Sequence, residues 1–369
     1  MQPEVWLEQN YAVRHDVMQQ AVQVYDKSRA EWVTLQDYHE ICASVEYYHS
    51  ALRNKSPSQM HDLLLRQAIM HPYDSLREHI GGLSQHDGVQ RLSNWLARYT
   101  GCEDSSYTRM IGRKWLLSAM ARALRPGPDC KVDNVLILHG KQGMGKSTLL
   151  KDLAGPFFND ANFEFGNEQK AGMALRNTWI HEWAELDSMT KASHTRLKSY
   201  VSETVNRFRA PYGRNMLVEP RRCVFAGSTN KDDFLTDSTG NRRFWPVHLV
   251  RYDTRLRDDR EQLLAEARDA FLSGETWWTT REDEELAISV RAKVEFEDPW
   301  KEEIEKALAG RAEVTGAYLL EEVLNIPLDR LDARHTRRVG DVLKQLGYYK
   351  DGTRDLQGRR VWAKKAMGA

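Results

Sequence analysis

The run Gly140-Lys141-Gln142-Gly143-Met144-Gly145-Lys146-Ser147-Thr148 has the residue types and the G-x-x-x-x-G-K-S spacing of a loop that cradles phosphate. Gly140, Gly143 and Gly145 let main-chain N–H groups turn inward around a β-phosphate, with Gln142 and Met144 carried between them. Lys146 suits the charge of the β- and γ-phosphates, the Ser147 hydroxyl suits Mg²⁺, and Thr148 falls near the α-phosphate region. The neighbours make the motif specific. Asn134-Val135-Leu136-Ile137-Leu138 is a short apolar run of the kind that forms a buried strand, and Leu149-Leu150-Lys151-Asp152-Leu153 opens a helix. A helix N-terminus facing such a loop favours anions. A nucleoside triphosphate with Mg²⁺ is the expected occupant, and the loop alone does not choose between a kinase, a GTPase and an ATPase.

Turnover of a bound triphosphate also needs carboxylates and a means of stabilising developing charge. Glu182, Glu185 and Asp187 follow the apolar run Thr178-Trp179-Ile180-His181. Glu182 is expected on the metal side and Glu185 as the group that activates the attacking water, with Asp187 able to replace either. The plainer reading is an acidic helix start favoured by the helix dipole. Asn230 ends a third apolar run, Cys223-Val224-Phe225-Ala226, and fits a sensor of the γ-phosphate or the water, although Asn also ends strands simply to make a turn. Arg242 and Arg243, ahead of Phe244-Trp245, fit an arginine finger reaching in from a neighbouring subunit. The alternative is a structural guanidinium stacked on Trp245.

Short apolar runs separated by helical stretches make this middle region α/β, with a sheet covered on both faces. Before it, Leu63, Leu64, Gln67, Ala68 and Met70, then Val89, Leu92, Trp95 and Leu96, recur at helical spacing, so residues 1–105 are expected to be helical. A core follows over 106–255, its first helix stopped by Arg125-Pro126-Gly127-Pro128, and a helical lid or linker over 256–310. Residues 311–369 hold two helical patterns, Val314–Leu324 and Ala333–Leu346, then a hairpin around Asp351-Gly352 or Gln357-Gly358. That order suggests a winged helix-turn-helix.

Composition excludes several classes. With 369 residues and 41% hydrophobics the chain is long enough for about two to three globular domains of ~150 residues. Four separate cysteines, none in a C-x-x-C pair, argue against a disulfide framework or zinc site. The N-terminus lacks the pattern of a signal peptide, and the apolar runs fall short of a membrane span, so a cytoplasmic location with no membrane partner is expected. The 53 Lys+Arg balance 53 Asp+Glu. That zero is an average, because residues 281–322 carry 6 basic against 13 acidic residues and residues 330–369 carry 11 against 4. Arg334, Arg337 and Arg338 share one helix with His335, and Arg359 and Arg360 flank the hairpin. Such a patch predicts contact with nucleic-acid phosphates. The alternative is a protein contact in which the acidic stretch pairs with the basic one.

Taken in order, these motifs resemble the virulence-associated protein E family, a phage and mobile-element branch of P-loop ATPases akin to superfamily 3 and AAA+ helicases. The resemblance adds His71-Pro72, the segment His86–Leu92, Trp115, Lys131-Val132-Asp133, Phe208–Arg214 and Phe234-Leu235, and spans roughly residues 60–250. His86 departs from the pattern, standing where Trp is expected. The resemblance implies an AAA+-like fold and an ATP-dependent DNA helicase of phage or mobile-element replication, acting as a ring, in the first instance a hexamer. It also implies a separate primase partner and a hairpin ahead of the sensor strand, so Arg209, Tyr212 and Arg214 become DNA-binding candidates on single-stranded or forked DNA. Arg209 and Arg214 serve equally well as ATP-site or intersubunit arginines, and Lys198 reads as a solvated cation. The alternative activity is an ATP-dependent replication initiator or loading switch without processive unwinding. A small-molecule kinase is disfavoured, since the second carboxylate, the paired arginines and the basic tail have no purpose there.

Overall fold

The computed structural model describes residues 5, 12–26, 30–34, 56–163, 167–184, 186, 191–209, 215–231, 241–292, 299–327, 330–355 and 358–364. The chain divides into two compact units, Met1–Phe234 with Gly240–Val294, and Leu235–Thr239 with Glu295–Ala369.

The first unit begins with strands β1 (Val13–Asp16), β2 (Ala21–Asp26) and β3 (Glu31–Thr34), followed by helix α1 (Pro57–Ile69), the short strand β4 (Pro72–Tyr73), and helices α2 (Ser75–Gly81) and α3 (Trp95–Thr100). The four strands pair in the order β3-β2-β1-β4. This corrects the expectation of an all-helical 1–105. Val13, Val22, Val24 and Val33 are β-branched residues that favour extended backbone. Buried Asp16 then secures the turn and β4 by accepting from the Met18 N–H (2.9 Å) and the Ser75 hydroxyl (3.1 Å).

Helix α4 (Ser106–Leu124) is buried on nearly every side and leads to the central sheet. The sheet alternates with further elements in chain order: β5 (Val135–His139), α5 (Lys146–Ala154), β6 (Phe158–Asn159), α6 (Glu168–Ala174), β7 (Ile180–Trp183), α7 (Lys191–Val201), a hairpin of β8 (Val205–Arg209) and β9 (Met216–Pro220), β10 (Val224–Thr229) and β11 (Phe244–His248). Five strands form an all-parallel sheet ordered β11-β5-β10-β7-β6. Sheets covered on both faces need continuous apolar runs, and Val135–Leu138 are fully buried. Indole N–H groups pin α4 against the sheet: Trp115 Nε1 donates to the Phe225 carbonyl at 3.0 Å, and Trp179 Nε1 to Ala119 at 2.8 Å. Because β10 lies between β5 and β7, the carboxyl ends of the three strands carrying the expected site are neighbours. Helices α8 (Leu256–Leu272) and α9 (Arg281–Ala292) complete the unit.

The second unit runs α10 (Pro299–Leu308), β12 (Glu313–Thr315), a helical segment α11 (Gly316–Tyr318) continued by a wider π-turn over Leu319–Val323, α12 (Ala333–Gln345), β13 (Tyr348–Arg354) and β14 (Arg360–Lys364). Its antiparallel sheet is ordered β12-β14-β13. Ile304 and Leu308 of α10 share its core with Val314, Leu319, Val339, Leu343 and Trp362, so this helix belongs here and not with the 256–310 segment. Of the two expected turn positions, Asp351-Gly352 falls inside β13, where Gly352 (φ 82°) accommodates a register shift between Lys350 and Arg354. At the other position Gly358 takes φ 78° and donates its N–H to the Asp355 carbonyl at 2.9 Å between the two strands, while Gln357 lies outside the described residues.

Candidate nucleotide-binding site

The phosphate-loop motif lies between β5 and α5, as its neighbours require. Gly143 (φ 80°) and Gly145 (φ 88°) take backbone angles that side chains disfavour. Two glycines are also needed for space: a Cβ at Gly140 would sit 2.5 Å from the Leu249 carbonyl oxygen, and one at Gly145 would sit 2.6 Å from Tyr252 Cβ. Gly145 caps α5, leaving the first N–H groups of the helix turned toward the loop. Lys146 is buried, and its Nζ donates to the carbonyls of Gly140 (2.7 Å) and Lys141 (2.9 Å) and to Asn230 Oδ1 (2.9 Å). The loop thus bends around an ammonium already aimed into it, and the end of β10 supplies one of its acceptors.

Ser147 Oγ donates to Glu182 Oε1 at 2.7 Å. Glu182 is 1% exposed, and its Oε2 has no hydrogen-bond partner among the described residues. Burial pushes its carboxyl up from the ordinary range, against hydrogen bonds from Ser228 and Ser147. A buried carboxylate with one orphaned oxygen beside a hydroxyl fits a hard cation that keeps most of its shell from water and substrate phosphates. Among the described residues no cluster of three His, Cys, Asp or Glu forms a self-sufficient metal cage, so Ser147 and Glu182 are the groups that fit. Four expected residues, Lys146, Ser147, Glu182 and Asn230, are therefore brought together. Gln142 and Thr148 are exposed along the loop and the helix start, and Met144 is half-buried. Glu185 and Asp187 lie outside the described residues.

Two neighbours of this site belong to no recognisable motif. Tyr252 covers Gly145, donates its N–H to the Met144 carbonyl (3.0 Å) and its hydroxyl to Asp152 Oδ2 (2.6 Å). His181, adjacent to Glu182, is wholly buried among the rings of Phe163, Trp183 and Phe225 at 5.2, 5.6 and 6.1 Å. Neither ring nitrogen has a partner among the described residues, and burial holds the imidazole down to about 3.

Arg242 and Arg243 are not beside the loop of their own chain. They sit in a helical turn just before β11, and β11 runs parallel to β5 with Phe244 opposite Val135 and His248 opposite His139. Five strand residues at ~3.3 Å each separate the two edges by roughly 16 Å. Arg242 is exposed in a cleft of about 570 Å³ with Lys131, Asp133 and Trp278. Arg243 Nε donates to Ser202 Oγ at 3.0 Å. Trp245 is buried within β11, and among the described residues neither guanidinium stacks on it. Lys198, expected as a solvated cation, is instead 7% exposed and donates to Asn241 Oδ1 at 3.2 Å, because its side of α7 packs toward β11.

The expected hairpin is β8–β9. Arg209 is exposed opposite Met216, and Arg207, which the motif reading passed over, is exposed opposite Val218. The alternation Arg207-Phe208-Arg209, with Phe208 buried, was the available signal. Tyr212 and Arg214 lie outside the described residues.

The five basic candidates of the second unit separate into groups. Arg337, Arg359 and Arg360 line a groove of about 690 Å³ together with Lys344, Lys350 and Trp362. Arg359 is also paired with Asp355 at 2.8 Å. The Arg338 guanidinium carbon lies over the Trp300 ring, 3.9 Å from its centroid, which gives it a packing role. Arg334 is exposed and pairs with Asp332 at 3.4 Å.

The family profile described as Virulence-associated protein E-like domain matches residues 80–296, more than half of the chain. No curated protein matches it. Among solved structures, an A-form apo structure of the NrS-1 C-terminal region is similar with a TM-score of 0.52 at 13% identity, over 98% of this chain and 98% of that one. A second apo structure of that region, residues 305–718, gives 0.49 at 12%, over 98% and 97%. At such identity the first likeness bears on fold. No helix among the described residues is long and apolar enough to cross a membrane.

Proposed function

Because this chain belongs to the virulence-associated protein E-like family, we propose that it is a Mg²⁺-dependent ATPase that drives DNA unwinding in the replication of a phage or mobile element. The observation carrying this reading is the convergence of Lys146, Asn230, Ser147 and Glu182 at three adjacent strand ends. Loop N–H groups and the Lys146 ammonium bind and orient the β- and γ-phosphates of ATP. Ser147 and Glu182 would hold Mg²⁺, which supplies charge neutralisation on the phosphates. Asn230 fixes Lys146 and is placed to sense the terminal phosphate. Glu185 is assigned the activation of water from its position three residues beyond Glu182.

Arg242 or Arg243 supplies positive charge to the site of a neighbouring copy, since an edge some 16 Å away is out of reach of its own loop. A closed ring, in the first instance a hexamer, gives every copy such a neighbour. Arg207 and Arg209, with Tyr212 and Arg214, contact the DNA strand from the hairpin, and Arg337, Arg359 and Arg360 contact phosphates from the second unit. Priming falls to a separate partner.

The test measures ATP turnover and strand separation on forked DNA for the parent chain and Lys146→Ala. DNA-stimulated turnover with unwinding, both lost in the variant, is expected. A second reading, an ATP-dependent initiator or loading switch, is favoured by the basic groove of the second unit. Sharp ATP-dependent site binding without unwinding would replace the first reading with the second.

A further inference from the structure

The stretch from Lys198 to Asn206 ends α7 and enters the hairpin, and it touches two elements invoked above. At its start Lys198 donates to Asn241 and lies 5.9 Å from the Phe244 ring centroid. Ser202 Oγ accepts from Arg243 Nε and donates to the Lys198 carbonyl at 3.3 Å. The arginine segment 241–243 is thereby fastened to the end of α7.

At its far end the stretch is held by two fully buried guanidiniums. Arg221, the residue after β9, donates to the Tyr200 carbonyl, to Glu203 Oε2 (2.9 Å) and to Asn206 Oδ1 (3.0 and 2.9 Å). Its own N–H closes the hairpin root on the Thr204 carbonyl at 2.9 Å. Arg122 of α4 donates to the carbonyls of Glu203 (3.2 Å), Thr204 (3.4 Å), Arg221 (3.2 Å) and Val132 (3.4 Å). A desolvated cation whose acceptors move away loses several hydrogen bonds together, so these acceptors are constrained to move as a unit. The hairpin root therefore does not shift independently of Tyr200, Glu203 and Thr204, and Ser202 lies between them.

We propose that residues 198–206 couple the arginine segment 241–243 to the β8–β9 hairpin, with Ser202 as the positioning residue for Arg243. The coupling rests on the reading that Arg243 serves a neighbouring ATP site and that the hairpin holds DNA. Arg243 drawn toward a phosphate leaves Ser202, and DNA pulling on the hairpin moves Ser202 and with it Arg243. Such a linkage is reciprocal.

The test is steady-state ATP turnover of the full chain, with and without single-stranded DNA, for the parent, Ser202→Ala and Ser202→Thr, beside the affinity for a non-hydrolysable ATP analogue. In Ser202→Ala the ratio of DNA-stimulated to DNA-free turnover falls about tenfold, while nucleotide affinity stays within about twofold of the parent. Ser202→Thr restores the hydroxyl and keeps the parental ratio, which a role in packing alone would not predict. A parental ratio in Ser202→Ala overturns the coupling and leaves the ATPase reading standing. A parent whose turnover ignores DNA overturns the proposed function, and the coupling with it.

Discussion

His181 sits in β7 beside the carboxylate expected to serve the metal, and its burial has a cost that pH exposes. In the unfolded chain its imidazole takes a proton below its ordinary value of 6.5, whereas in the fold it does so only near 3. Between those values the folded state binds fewer protons, so this contribution is present above pH 6.5 and is lost as the pH falls. The slope is about 1.4 kcal/mol per pH unit, and integrating from pH 7 to pH 5 gives about 2 kcal/mol withdrawn by this one residue. His181→Phe keeps an aromatic ring among Phe163, Trp183 and Phe225 and removes the titration. Any packing penalty shifts the variant equally at both pH values, so the difference between them isolates the proton. Opening free energies from amide hydrogen exchange of Ile180–Trp183 at pH 7 and pH 5 read this strand separately from the second unit. The parent should lose about 2 kcal/mol more than the variant over that range. Equal losses in both would refute the claim that His181 is buried neutral.

Three further outcomes follow from the same geometry. Lys146→Ala and Arg243→Ala should each abolish turnover, the second with nucleotide binding intact, and mixing the two should recover activity above either alone; no recovery would remove support for an arginine acting across copies. Glu182→Gln removes a carboxylate that burial raises, so the ligand-free variant gains stability over the parent increasingly as pH rises above the ordinary carboxylate range. Thermal melts should also show that it loses the extra stabilisation that Mg²⁺ adds to a bound ATP analogue. In the second unit, Arg337→Gln combined with Arg360→Gln should weaken DNA binding and reduce the salt slope by about two, at ~0.9 per phosphate contact, while Arg338→Gln lowers stability and leaves the slope alone.

The phosphate loop was legible because its chemistry is local: glycine spacing, Lys146 and Ser147 sit in one run, with the strand before and the helix after both readable. Glu182 and Asn230 were legible as strand-end polar residues, but their meeting with Ser147 and Lys146 depends on β10 lying between β5 and β7, a pairing between distant segments. The N-terminal sheet was missed because strands of four to six residues carry little periodicity beside the clear helical spacing of α1. Lys198 reads as solvated from the sequence, and the contact of Arg338 is equally invisible there, for one reason. Whether a cation on a helix is solvated depends on what faces it, here Asn241 and Trp300, far away in the chain. The hairpin of the second unit is legible but its turn is not, since Asp351-Gly352 suits a bulge as well as a reversal.

The contact between Tyr252 and Gly145 has a consequence for heredity. Gly145→Ala meets two separate obstacles: a left-handed backbone angle, costing ~1 kcal/mol for a residue with a Cβ, and the Tyr252 Cβ already in the space required. The first belongs to the loop alone and no second-site change relieves it. The second is shared, and because the atom in the way is a Cβ, only glycine at 252 would remove it and act as a partial suppressor of a lesion in a distant motif. Positions 145 and 252 are therefore coupled through a backbone-proximal atom, and only a lineage with glycine at 252 would be freer than this one to lose the glycine at 145.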